Sequence, residues 1–182
     1  YIPMKDEAEV DTITITTTDS VSGNSDTDGI TVTVQAVNDP PSFTSVPTSG
    51  SSLAEGETIS FSVLNPLTEI FVFDLDADDQ DIQMQITVAN GTATINDTAV
   101  SIMSGANGTA SMMFQSPWEK INTAMDGLTF KPAIGFSGNA TIKLTVDDLG
   151  NSGTGGAQTV SETINITVTS ANSAPVITVP AK

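Results

Sequence analysis

The feature that most constrains this chain is a strict alternation of β-branched apolar residues with threonine or another polar residue. It recurs in Ile13-Thr-Ile-Thr16, Ile30-Thr-Val-Thr-Val34, Ile142-Lys-Leu-Thr-Val146 and Ile164-Asn-Ile-Thr-Val168. A period of two sends successive side chains to opposite faces, so each stretch predicts a half-buried strand of an antiparallel sheet with one wet side. Further strands are expected at about 57–63, with Ile59, Phe61 and Val63 inward, and at 69–73, 82–89, 92–96 and 127–131. Asn90-Gly91 is expected to turn a two-residue hairpin between two of them, because both residues accept positive φ. Helical periodicity is nearly absent. One short helix is predicted near 117–125, with Ser116 as N-cap, Pro117 at the first helical position, Glu119 at the third and Gly127 just past the end. Its Trp118, Ile121 and Met125 fall on one side and are expected to close one end of the fold. Many short strands joined by Gly-, Asn- and Asp-rich turns predict an all-β chain, folded as a β-sandwich.

Composition narrows the chemistry. The 182 residues carry 22 acidic side chains against 5 lysines, for a net charge of −17, with no histidine and no cysteine. The five basic residues are all lysine, and they are scattered, so a polyanion is repelled and nucleic-acid binding is excluded. Without His or Cys there is no imidazole base, thiolate nucleophile or zinc finger, and the triads that depend on them are closed. A glycosidase needs a carboxylic acid with a raised pKa in an apolar cleft, whereas these acids fall in polar loops; no enzymatic activity is expected. No apolar run reaches the ~18–20 residues of a membrane span, and Tyr1-Ile-Pro-Met-Lys5 has no signal-peptide pattern, so no membrane insertion is expected. The chain reads as an excerpt from something longer. Disulfides are unavailable, so an extracellular chain of this kind needs another staple, for which an ion is the natural candidate.

An internal repeat organises the chain. Thr12-Ile-Thr-Ile-Thr-Thr-Thr-Asp19 matches Thr141-Ile-Lys-Leu-Thr-Val-Asp-Asp148, each an alternating strand that ends in Asp before a Gly/Ser/Asn-rich loop. Val37-Asn-Asp-Pro-Pro41 then matches Ala171-Asn-Ser-Ala-Pro175, giving a period of about 130 residues. The expected division is 1–39, the last strands of one repeat plus a linker; 40–172, a complete repeat; and 173–182, a linker and the first strand of a third.

Fifteen of the 22 acids are Asp, and Asp74-Leu-Asp76-Ala-Asp78-Asp79-Gln-Asp81 sets five of them in eight positions after Ile70-Phe-Val-Phe73. A solvated turn is the plain reading. The alternative is a Ca²⁺ site, because that ion collects 6–8 oxygen ligands and relieves the repulsion. The run is not an EF-hand: it lacks the Gly at position six and the Glu at position twelve. Asp148 continues the inward line Ile142, Leu144, Val146 to a sandwich tip. Asn38 and Asp39 sit in a proline-stiffened linker, Glu55 at a turn, and Glu7 ahead of the strand ending in Asp19.

Together these residues resemble the cadherin-like repeats strung in tandem in large bacterial surface adhesins and RTX-type exoproteins. The matching elements are the Val-Asn-Asp-Pro-Pro linker, Ala54-Glu-Gly-Glu-Thr58, Phe73-Asp-Leu-Asp-Ala-Asp78, Asn90-Gly-Thr-Ala-Thr94, Gly127-Leu-Thr-Phe-Lys-Pro132 and Thr145 to Gly156. The resemblance implies seven-stranded Greek-key sandwiches, of the Ig/cadherin-like kind, joined end to end with Ca²⁺ at each linker. Carried over, it implies a first linker site of Asn38, Asp39, Asp74, Asp76 and Asp148, with Glu7 from the preceding repeat and Asp78 as a weaker member. Glu55 would serve the second linker, where Ser173 and Phe136 depart from the pattern and a weak or incomplete site is expected. The implied function is an extracellular, cell-surface extender whose partners are calcium ions and neighbouring repeats of the same polypeptide. A second reading makes the repeat an adhesive module for carbohydrate or protein, including homotypic contacts. It is less supported, since the single Trp, single Tyr and seven Phe mostly occupy positions expected in the core.

Overall fold

The computed structural model describes residues 9–47 and 51–171. These residues form thirteen strands, one short α-helix and one 3-10 turn, so the all-β expectation holds. Strands β1 (Val10–Thr18) and β2 (Ser25–Thr33) pair antiparallel as a separate hairpin. Its register places Ile13 opposite Ile30 and Asp11 opposite Val32, so Ile13, Ile15, Ile30 and Val32 share one face. Ile15 and Ile30 on that face are exposed.

The other strands build sandwich-like layers. One layer is a six-stranded sheet in the order β4 (Ser51–Ala54), β13 (Thr159–Thr169), β12 (Gly138–Asp147), β7 (Ile82–Ala89), β10 (Ser111–Ser116) and β9 (Ser101–Gly105). All its neighbours are antiparallel except the parallel β4–β13 pair. The facing layer holds a three-stranded sheet, β5 (Ile59–Ser60), β11 (Thr129–Pro132) and β8 (Gly91–Thr94), and a pair, β3 (Ser42–Ser45) with β6 (Phe71–Phe73).

Period-two alternation sets the core. Ile82, Met84, Ile86 and Val88 of β7, Ile142, Leu144 and Val146 of β12, and Ile164, Ile166 and Val168 of β13 are all buried. They meet Phe61, Val72, Ala93 and Phe130 of the facing layer in one continuous cluster. Each large side chain so buried contributes about 1.5–3 kcal/mol. No helix of the described residues is long and apolar enough to cross a membrane.

The helix α1 (Trp118–Met125) lies where the sequence places it, but with a different start. Pro117, in an extended conformation, is the N-cap and provides no side-chain cap, while the Ser116 hydroxyl donates to the Ala99 carbonyl at 3.2 Å. The hydroxyl is turned toward the neighbouring segment and so cannot cap. Ile121 and Met125 enter the core. Asn122, also buried, accepts from Val72 N–H and donates to Val72 C=O, both at 2.8 Å. The helix thereby completes the free edge of β6 in place of a strand, instead of simply closing an end.

Two other expectations change. Asn90 has the predicted positive φ of 64°, but β7 and β8 belong to different sheets, so Asn90-Gly91 is a corner between layers and not a hairpin. Gly91 is needed there for another reason: a Cβ would lie 2.5 Å from the Lys131 carbonyl of β11. The strand expected at 57–63 shortens to Ile59–Ser60, and Val63 is exposed. Strands β4, β9 and β10 had no alternation of β-branched residues to announce them; β10 packs Met112 and Phe114 inward instead.

The hairpin β1–β2 and the hairpin β12–β13 share a detail. Asp19 N–H donates to Asn24 C=O at 2.8 Å, and Asp148 N–H donates to Gln158 C=O at 3.1 Å. In each, the aspartate side chain accepts the N–H two residues on, Val21 at 2.7 Å and Gly150 at 2.8 Å.

Candidate metal centre at the sandwich tip

Two strands from opposite layers end in inward-facing aspartates. In β6 the inward line is Ile70, Val72, Asp74; in β12 it is Ala140, Ile142, Leu144, Val146, Asp148. Parity alone carries both carboxylates into the tip, where Asp74 is 3% and Asp148 1% exposed. Asp148 is well satisfied: Oδ1 accepts from Gly150 N–H and Gln158 N–H, each at 2.8 Å, and Oδ2 from Asn38 Nδ2 at 2.7 Å. Asp74 is not. Its Oδ1 accepts from Asp76 N–H at 3.0 Å, but its buried Oδ2 has no hydrogen-bond partner.

The electrostatics follow. Burial pushes the Asp74 carboxyl above its ordinary value of 3.8, and the nearby charges of Asp148 and Asp76 push it the same way, against hydrogen bonds from Asp76 and Ala77 N–H. Both neighbouring charges are negative, so only the Asp76 and Ala77 N–H groups favour the ionised form, and burial outweighs them. A buried acceptor without a partner costs about 1–3 kcal/mol, more when charged, unless a donor or cation meets it.

The linker is pinned to this tip. Asn38, 4% exposed, donates from its backbone to Thr154 C=O at 2.9 Å and from its side chain to Gly156 C=O at 3.0 Å as well as to Asp148. Its own carbonyl accepts from Gln158 Nε2 at 2.5 Å. Asp39 N–H donates to Asp76 Oδ2 at 2.6 Å, and Ser152 Oγ donates to Asp76 C=O at 2.6 Å. Val37 and Thr154 form a parallel bridge. Gly153, at φ 79°, lies so close beneath the linker that a Cβ would sit 2.6 Å from Asn38 N.

The structure therefore brings together Asn38, Asp39, Asp74, Asp76 and Asp148 at one end of the sandwich. Asp78, at φ 43°, lines a cleft with Asp74, Phe73, Asp79, Trp118 and Glu119. Glu55 lies elsewhere: its N–H donates to Thr169 C=O at the far end of β13, about 33 Å of strand away from Thr159 at ~3.3 Å per residue. Glu7 and Ser173 lie outside the described residues. Among the described residues, no three acidic side chains converge into a ready metal cage. The donor set is nonetheless chemically suited to a hard cation: carboxylate and carbonyl oxygens, with one buried carboxylate oxygen unpartnered.

The grip of Gly153, Thr154 and Gln158 on the linker is absent from the sequence reading. The glycines at 150, 153, 155 and 156 were a signal of close backbone approach, but the run reads equally as an ordinary loop. Compared with known proteins, the chain matches no protein-family model and no curated protein.

Proposed function

We propose that this chain is a calcium-binding extender of an extracellular, cell-surface adhesin, built from tandem cadherin-like sandwiches of seven-stranded Greek-key type. In this reading 1–39 close one repeat, 40–172 make the next, 173–182 begin a third, and calcium at the first linker stiffens the junction. The observation that carries it is the unpartnered, buried Oδ2 of Asp74 beside Asp76 and Asp148, at the point where Asn38-Asp39 docks. The like hydrogen-bond patterns at Asp19 and Asp148 support the tandem arrangement.

Asp74, Asp76 and Asp148 would hold the ion, with Asp39 from the linker and Glu7 from the preceding repeat. The ion supplies a positive charge that two buried carboxylates otherwise lack. Asn38 positions Asp148 and fixes the linker backbone, and the proline pair Pro40-Pro41 restricts the chain beyond it. Sites of extracellular modules have Kd near 10⁻⁴–10⁻³ M, and at millimolar calcium the tight end of that range adds roughly 1–2 kcal/mol to the folded state. That is sufficient to order a hinge.

Titration calorimetry tests the assignment. Calcium is expected to bind with a heat that magnesium does not reproduce and that Asp74→Ala/Asp76→Ala abolishes. Equal heats from the variant would overturn it.

A further inference from the structure

The alternation of β6 points Val72 into the core and therefore Phe71 and Phe73 away from it. Both rings receive Trp118. The Trp118–Phe73 centroids are 5.2 Å apart at 74°, and the Trp118–Phe71 centroids 6.1 Å apart at 63°. Two T-shaped contacts hold the half-buried indole in one orientation on the outside of the sandwich. The three rings thus form an outer cluster.

A cleft of about 430 Å³ opens beside the cluster. Phe73, Leu75 and Trp118 supply its apolar wall, and its polar side chains are Asp74, Asp78, Asp79 and Glu119. On the other side of Trp118 and Glu119 a second cleft of about 310 Å³ runs past Phe71 and Val63 to Asp126. Leu75 and Val63 are exposed, so the furrow offers apolar surface along its length.

The chemistry of the lining selects its occupant. Ionised carboxylates accept hydrogen bonds and never donate, so a group that satisfies this rim must bring donors and positive charge. A sugar also stacks on indole, but its hydroxyls both donate and accept, and the indole N–H is the sole side-chain donor of the first cleft. A guanidinium matches throughout: it is planar, stacks on an indole face, and meets carboxylates with a fork of N–H groups. We propose that the furrow around Trp118 and Glu119 is a docking site for an arginine side chain presented by a partner protein. This surface borders the linker junction at Asp74 and adds an adhesive contact to an extender.

The chain has one tryptophan, so its fluorescence reports this site alone. In buffer holding millimolar calcium throughout, the full chain is titrated with the capped peptide Gly-Arg-Gly-Arg-Gly and with the same peptide carrying citrulline, the neutral isostere. The arginine peptide is expected to change Trp118 emission saturably and the citrulline peptide to leave it unchanged. Glu119→Gln, on an exposed helix face, is expected to weaken binding about five- to tenfold, the scale of a charge-assisted contact on an aromatic platform. Asp28→Asn on the hairpin removes the same charge and is expected to change affinity less than twofold. Equal responses to both peptides, equal weakening by both variants, no saturable response, or saturation by a neutral oligosaccharide in place of the arginine peptide would overturn the proposal. Calcium is constant in every arm, so failure here is distinct from failure of the metal assignment.

Discussion

The side-chain amide of Asn38 donates to Asp148 Oδ2 at 2.7 Å, joining a linker residue to the end of β12 across 110 positions of sequence. Both residues are buried, so the contact behaves as part of the core although one partner belongs to a connection between hairpin and sandwich. A linker held this way has its direction set by the sandwich tip.

Asn38→Ala removes two side-chain donors from that junction, and leaves Asp148 Oδ2 buried without its partner. The expected cost is about 1–3 kcal/mol. Chemical denaturation should show it, together with faster hydrogen exchange at the Thr154 and Gln158 amides. A variant as stable as wild type would show that the linker does not draw on this bond.

Asp74→Asn separates the fold from the ion. In calcium-free buffer it removes a buried charge flanked by Asp148 and Asp76, so the melting temperature is expected to rise by a few degrees. In millimolar calcium the order reverses, because the variant loses a ligand. Melting curves in both buffers check the sign change.

The same carboxyl predicts a pH dependence. Its folded value lies above 3.8, so the folded state holds the proton more tightly than the unfolded chain. The destabilisation is fully present at neutral pH, shrinks as pH falls through the raised folded value, and is gone below about 3.8, the value of the unfolded group. Measured in chelator, the stability of wild type minus that of Asp74→Asn should therefore increase on acidification. A difference that stays flat or falls contradicts the burial argument.

Gly153→Ala combines a positive φ with a Cβ placed 2.6 Å from Asn38 N and 2.7 Å from Val37 C. Gly135 has a similar φ of 75° with open space around it, so Gly135→Ala measures backbone strain alone. The Gly153 variant is expected to lose at least about 1 kcal/mol more than the Gly135 variant, beyond the usual cost of such strain. Its loss should fall on linker docking, read as exchange at the Asn38 amide.

Much of this architecture was legible because period two is a strong signal. Ile142, Leu144 and Val146 announce where Asp148 points, and β7 runs over the residues expected for it. Ile70-Phe-Val-Phe73 carries no such signal: all four residues are apolar, so parity is ambiguous and the outward direction of Phe71 and Phe73 is not legible. Asp78 belongs to the acidic run, and the sequence does not announce the positive φ at which the chain turns there or the Trp118 cleft that Asp78 lines together with Asp74. Hydrogen bonds from Gln158 and Thr154 to the linker depend on a loop path that composition does not encode.

The most direct test of the central claim is thermal unfolding with and without millimolar Ca²⁺, with Mg²⁺ as control and X-ray scattering in the same buffers. The account predicts a calcium-specific rise in melting temperature of several degrees and a longer, narrower particle, both absent in Asp74→Ala/Asp76→Ala. Identical melting curves and identical scattering in calcium, magnesium and chelator would contradict it.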